Sequence, residues 1–175
     1  KKNNNASKVS ILPDGTISVI GGNRACYSRD GGLTWSVDST NKQFSTIVFT
    51  DTMHGISAGG VLSSTNRTNH YTITSDGGAT WSPRAFPLGV QGELAEVLAC
   101  KKAADGSLWL TDSRGMILRT LDAGNSWTNL AGYSVTLGKI TFSSTLSGWV
   151  SGGATANLLL HTADGGKKWT PHFPL

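Results

Sequence analysis

The chain has 175 residues, one domain's worth of material, and 22 Gly, 20 Ser and 20 Thr dominate it, while Glu occurs only as Glu93 and Glu96. Good helix formers are scarce and turn and strand formers abound, which argues against a helical bundle, a coiled coil or an α/β nucleotide-binding enzyme. A net charge of +4 with no basic run longer than two residues is not the footprint of a dedicated nucleic-acid binder, and no apolar stretch is long enough to span a membrane.

Taken in chain order, four groups of four short runs follow one another, each run alternating or apolar and bounded by Gly, Asp or Asn. The first group predicts strands at 8–12, 16–20, 25–28 and 34–37. The second predicts 45–50, 54–58, 70–74 and 80–83. The third predicts 95–100, 107–111, 116–120 and 126–129. The fourth predicts 139–142, 148–151, 158–162 and 168–172. Within each group the strands are called A to D. Strand B ends in Gly-Gly in three groups, at Gly21-Gly22, Gly59-Gly60 and Gly152-Gly153.

Between strands C and D one motif recurs four times. It runs Ser28 to Trp35, Thr74 to Trp81, Thr120 to Trp127 and Thr162 to Trp169. Each copy has an aspartate (Asp30, Asp76, Asp122, Asp164), Gly at +2, Trp at +5 and Ser or Thr at −2. Ser or Thr also stands at +4, except in the fourth copy, where Lys168 replaces it. The aspartates are spaced by 46, 46 and 42 residues. A short carboxylate can accept hydrogen bonds from backbone amides in a tight turn, and glycine supplies the left-handed backbone that such a turn needs. The tryptophan then starts the returning strand and carries a large apolar ring into the packing. Four strands per repeat at this period is the pattern of a β-propeller blade. The expected fold is all-β, with four four-stranded antiparallel blades at about 7–40, 41–86, 92–131 and 135–175, forming one domain over 1–175. A closed four-bladed ring, a slice of a larger ring and a pair of joined chains all fit this pattern.

The motif Ser/Thr-x-Asp-x-Gly-x-Ser/Thr-Trp resembles the Asp-box, or bacterial neuraminidase repeat. The surrounding wording, such as Gly148-Trp149-Val150-Ser151-Gly152-Gly153, is most similar to the photosystem II stability/assembly-factor group of propellers. The resemblance implies that the Asp-boxes lie on the rim away from the usual ligand face. Asp30, Asp76, Asp122 and Asp164, with Trp35, Trp81, Trp127 and Trp169, are therefore expected to be structural.

Catalytic constellations are poorly supported. Sialidases share the Asp-box, but the resemblance implies six blades and an Arg-Ile-Pro segment that is missing here. A two-carboxylate glycosidase needs acids facing one another across a cleft. Asp14 and Asp105 stand instead in Asp-Gly turns between strands A and B, and Asp112 with Arg114 reads as a loop ion pair. His54, His70, His161 and His172 lack metal-ligand spacing, and no cofactor is implied. Cys26 and Cys100 fall in different blades and read as buried thiols. Trp109 and Trp149, both on strand B, are expected to pack in the core.

A binding role remains. Arg24, Arg67 and Arg114 fall in or near the B–C loops of three successive groups, and Lys42 and Arg84 share that edge. Arginines converging from separate blades suit a carboxylate, a sulfate or an acidic peptide. The expected function is a non-enzymatic binding or assembly module that engages a protein or glycan, anionic ones included, through the face opposite the Asp-boxes. The alternatives are a sialidase-like glycoside hydrolase and an architectural blade set within a larger secreted or phage-tail protein. A start at Lys1 rather than Met reads as a processed or excised segment, with an extracellular or periplasmic home expected.

Overall fold

The computed structural model describes residues 6–11, 15–21, 24–38, 46–58, 70–86, 97–153 and 158–172. Every regular element among them is a β-strand. Sheet one contains β1 (Ala6–Ile11), β2 (Ile17–Gly21), β3 (Arg24–Ser28) and β4 (Ser36–Asp38). Sheet two contains β5 (Thr46–Phe49), β6 (Gly55–Ala58), β7 (His70–Thr74) and β8 (Ser82–Ala85). Sheet three contains β9 (Val97–Lys102), β10 (Leu108–Asp112), β11 (Met116–Thr120) and β12 (Thr128–Gly132). Sheet four contains β13 (Leu137–Phe142), β14 (Gly148–Gly152), β15 (Leu158–Thr162) and β16 (Thr170–His172). In each sheet the strands lie in chain order and pair antiparallel, so neighbouring runs simply fold back on one another. The chain divides into two compact units, Lys1–Ala85 and Phe86–Leu175, each holding two sheets.

The recurring turn closes as the sequence suggests. In the first copy, the Ser28 hydroxyl donates to Asp30 Oδ1 at 2.9 Å and accepts from the Gly32 amide at 2.7 Å. The Thr34 amide donates to Asp30 Oδ1 at 2.9 Å, and the Thr34 hydroxyl donates to the second carboxylate oxygen. The same bonds recur around Asp76, from Thr74 and Thr80, and around Asp122, from Thr120 and Ser126. Around Asp164 the Thr162 hydroxyl and the Lys168 amide donate, but Lys168 has no hydroxyl for the second oxygen. Hydrogen bonds, led by those from Thr34 and Thr80, hold Asp30 and Asp76 at a pKa of about 2.

Two residues in each turn have left-handed backbone. The glycine at +2 has φ between 84° and 97°, and the residue at +1 is Gly in three copies and Ala123, at φ 54°, in the third. Strand D begins about two residues later than expected, at Ser36, Ser82, Thr128 and Thr170. The reason is the carboxylate: its bond to the amide at +4 keeps that residue in the turn, and the tryptophan precedes the strand.

Packing between sheets within each unit uses one device. In the first unit Ile20 and Tyr27 of sheet one form a core with Ile47 and Phe49 of sheet two, and Trp81 packs against it. In the second unit Trp109 of sheet three is fully buried against Phe142, at 4.7 Å between ring centroids, and Trp169, at 6.1 Å, both of sheet four. Leu137, Ile140, Val150 and Leu160 complete that core. The Trp109 indole N–H donates to Ser107 Oγ at 2.9 Å, and the Arg119 guanidinium lies 5.0 Å from the ring centroid. The ring reaches the fourth Asp-box turn so closely that a Cβ on Gly166 would fall 2.1 Å from Trp109 Cη2. Gly166→Ala is therefore expected to destabilise the protein by about 1–3 kcal/mol through overpacking, read as a lower denaturant midpoint.

The box aspartates also set the acid limit. A carboxylate whose pKa is lower in the folded chain contributes stability above its ordinary value near 3.8, and that stability is lost as pH falls toward about 2. Melting temperature is expected to drop steeply over this interval in the parent protein. In Asp30→Asn/Asp76→Asn the acid limb flattens, while the melting temperature at neutral pH is lower. Lys168→Thr supplies the missing hydroxyl to Asp164 and is expected to raise the melting temperature at neutral pH.

Candidate functional site

The predicted basic edge is only partly visible. Lys42 and Arg67 lie outside the described residues. Arg24 is the first residue of β3, and Arg84 is exposed on β8, where its Nη1 donates to the Pro83 carbonyl at 3.3 Å. Arg114 stands half-buried in the β10–β11 turn of the second unit. The three arginines therefore belong to three different sheets.

Asp112, expected to pair with Arg114, works mainly on backbone. Its Oδ1 accepts from the Arg114 amide at 3.0 Å and the Met116 amide at 2.8 Å. It is buried, and burial raises its pKa above the ordinary carboxylate value despite those bonds and the nearby Arg114 charge. The group shapes the turn that carries Arg114.

The other described carboxylates with described side chains are also held in turns. Asp105 accepts from the Ser107 amide and hydroxyl and forms an ion pair with Arg119 at 2.7 Å. Burial raises its pKa, but the Ser107 bonds and the Arg119 charge outweigh it, so the net direction is down. Asp51 accepts from the Met53 and His54 amides at 2.8 Å and meets His54 Nδ1 at 3.0 Å. Among the described residues, no three His, Cys, Asp or Glu side chains form a metal-sized cluster. Cys26 is half-buried and Cys100 is buried.

Trp109 is in the core as expected, whereas Trp149 is only half-buried. Its indole stacks on His161, with centroids 4.1 Å apart, and His172 approaches at 5.4 Å. His161 Nε2 lies 3.2 Å from Ser147 Oγ. Alternation along β14 fixes which face Trp149 occupies, but it does not determine whether another sheet covers that face.

A second cationic feature was not anticipated. On the Asp-box edge of the first unit, Tyr27, Arg29, Thr34, Ser36, Gly77 and Gly78 line a pocket of about 200 Å³. Arg29 Nη2 donates to the Gly77 carbonyl at 3.2 Å, and among the described residues no carboxylate pairs with it. The Gly77 amide donates to the Met53 carbonyl at 2.8 Å, which clasps the A–B turn of sheet two to its Asp-box. Gly165 and Leu146 repeat this clasp in sheet four at 2.9 Å. The signal for the pocket is in the repeats: the residue before the box aspartate is Arg29 in the first copy but Ser75, Leu121 and Ala163 in the others.

The BNR/Asp-box repeat family matches residues 27–37, the first of the four turns. No curated protein matches the sequence. Among solved structures, "YCF48 bound to D1 peptide" is similar at 18% identity and a TM-score of 0.65, covering 98% of this chain and 54% of that one. A GH74 enzyme of Niastella koreensis is similar at 18% identity and a TM-score of 0.72, covering 95% of this chain and 29% of that one. A streptogramin B lyase is similar at 16% identity and a TM-score of 0.71, covering 100% of this chain and 56% of that one. The chain thus spans about half the length of YCF48 and less of the enzyme from Niastella koreensis. These likenesses show the fold: the four sheets are the blades of an all-β propeller, each with an Asp-box between its third and fourth strands.

Proposed function

We propose that the chain is a non-enzymatic binding module whose single domain, 1–175, engages an anionic segment of a protein partner through arginines. One observation carries this reading. Seven described carboxylates, Asp30, Asp51, Asp76, Asp105, Asp112, Asp122 and Asp164, are each held by the hydroxyls and amides of their own turns. A hydrolase needs a pair of acids poised across a cleft with proton-transfer freedom, and these acids are committed elsewhere. Arginines demand no such freedom to bind a carboxylate. YCF48, similar in fold, is seen with a peptide bound, which supports a peptide over a glycan.

Arg24, Arg84 and Arg114, with Lys42 and Arg67, are the proposed contacts on the edge opposite the Asp-boxes. The Arg29 pocket favours a second placement of the same function, on the Asp-box edge itself. Fluorescence anisotropy with a labelled Glu- and Asp-rich peptide, at low and at physiological salt, tests both. Salt-sensitive binding is expected, weakened at least tenfold in Arg24→Ala/Arg114→Ala and unchanged in Arg29→Ala. The reverse pattern moves the site to the pocket. Unchanged binding in both folded variants, or none in the parent, overturns the reading. A sialidase substrate turned over by the parent chain would replace it with the hydrolase alternative.

A further inference from the structure

The two units repeat one another sheet by sheet, so each shows what the other has changed. Ser18 pairs with Tyr27 across sheet one as Trp109 pairs with Arg119 across sheet three. Counted from the box aspartates, Tyr27 and Arg119 both stand at −3, Arg29 and Leu121 at −1, and Ala79 and Lys167 at +3.

These exchanges decide how full the groove between two sheets is. In the second unit the Trp109 indole fills it up to the fourth box, where a Cβ on Gly166 would lie 2.1 Å from the ring. In the first unit Ser18 stands in the place of that indole. The Tyr27 ring closes on the second box less tightly, and a Cβ on Gly78 would lie 3.4 Å from Tyr27 Cζ. The space beside Tyr27 is the pocket of about 200 Å³ that Arg29 borders. Ser36 pairs with Tyr27, so both side chains share the face of sheet one that packs on sheet two. All the lining residues belong to the first unit, so sheets one and two alone build the pocket.

Its polar groups are few and differ in role. Arg29 is exposed; one guanidinium N–H is anchored on the Gly77 carbonyl, and its other N–H groups make no hydrogen bond among the described residues. The exposed Ser36 hydroxyl makes none either. The Thr34 hydroxyl gives its proton to Asp30, which leaves its oxygen able only to accept. Asp30 and Asp76 are each held by hydroxyls and amides of their own turns rather than by Arg29. Ala79 stands where the fourth box has Lys167, so Arg29 is the cation of this pocket.

We propose that the pocket is a site for a single small sugar acid, separate from the arginine edge that engages the anionic peptide. The carboxylate lies on the free side of the Arg29 guanidinium, hydroxyls of the sugar meet Ser36 and Thr34, and the ring rests against Tyr27. Size restricts the occupant: the volume is below the about 300–1,000 Å³ that drug-sized ligands fill, and suits one sugar ring. Charge restricts it further, because a guanidinium fork matches a carboxylate with two parallel bonds. One side chain that only accepts beside one that donates and accepts is a pattern that sugar hydroxyls satisfy, since each hydroxyl also does both. The ionised box aspartates on the same edge oppose an anion and keep the affinity low.

Amide NMR of the ¹⁵N-labelled parent chain, titrated with sodium glucuronate at fixed ionic strength, tests this. Saturable shifts are expected at the amides of Tyr27, Arg29, Ser36 and Gly78. The dissociation constant is expected on the order of 1 mM, as one solvated ion pair with a few hydroxyl bonds provides. Glucose lacks the carboxylate and acetate lacks the ring, and each is expected to bind at least tenfold more weakly. Arg29→Ala is expected to weaken glucuronate at least tenfold and Ser36→Ala about threefold. Both positions are exposed, so the remaining spectrum should keep its dispersion. Arg24→Ala/Arg114→Ala is expected to leave glucuronate binding unchanged, which separates this site from the peptide edge. Absence of saturable shifts in the parent overturns the proposal, as does full binding by Arg29→Ala. Glucose binding as tightly as glucuronate removes the role of the arginine, acetate binding as tightly removes the sugar, and either result overturns the assignment.

Discussion

Everything regular in this chain depends on a carboxylate that closes a turn upon itself. Each box aspartate gathers a hydroxyl two residues before it and an amide four residues after it. These partners are near in sequence, so the turn costs little loop-closure entropy and can form before the sheets meet. Two consequences reach beyond the turn. The left-handed glycine at +2 has no Cβ, which leaves space for an aromatic ring from the preceding sheet. The tryptophan at +5 supplies a wall of that space. A local hydrogen-bonding pattern thus shapes the receiving surface of long-range packing, as Trp109 against Gly166 and Trp169 shows.

This is why the fold was legible and some of its details were not. The aspartates, glycines and tryptophans recur at fixed offsets, and the runs between them alternate with period two, so strand count and pairing follow from the sequence. The start of strand D did not, because the bond from the amide at +4 is tertiary detail inside a turn. Trp149 and Trp35 were expected to pack, and pattern alone could not tell that their faces are less covered than those of Trp109 and Trp169. Alternation says which way a side chain points, whereas burial depends on what arrives from elsewhere.

The candidate site was less legible than the fold for a related reason. A repeat motif reports what the copies share, and chemistry resides in what one copy does alone. Arg29 occupies a position where the other copies have Ser75, Leu121 and Ala163. Nothing in the shared pattern marks it, yet it places a cation over a groove walled by Tyr27 and closed by Gly77. Lys168 is another departure, removing one hydroxyl from the fourth clasp. Internal copies therefore act as controls for one another, in which a difference at an equivalent position is informative without any relative to compare.

The same bookkeeping of carboxylates links fold to function. Of the 11 acids in the sequence, seven are tied into turns by their own neighbours in the described structure, including all four box aspartates. Hydrogen bonding holds Asp30 and Asp76 ionised far below neutral pH, so they do not exchange protons in the range where general acid–base catalysis operates. Among the described cations, Arg119 is tied to Asp105 and lies over Trp109, and Arg29 donates to the Gly77 carbonyl of the neighbouring sheet. The repeat thus assigns its box acids to the turns by a fixed rule and its cations copy by copy. The proposed recognition of an anionic partner rests on that contrast between shared acids and individual cations.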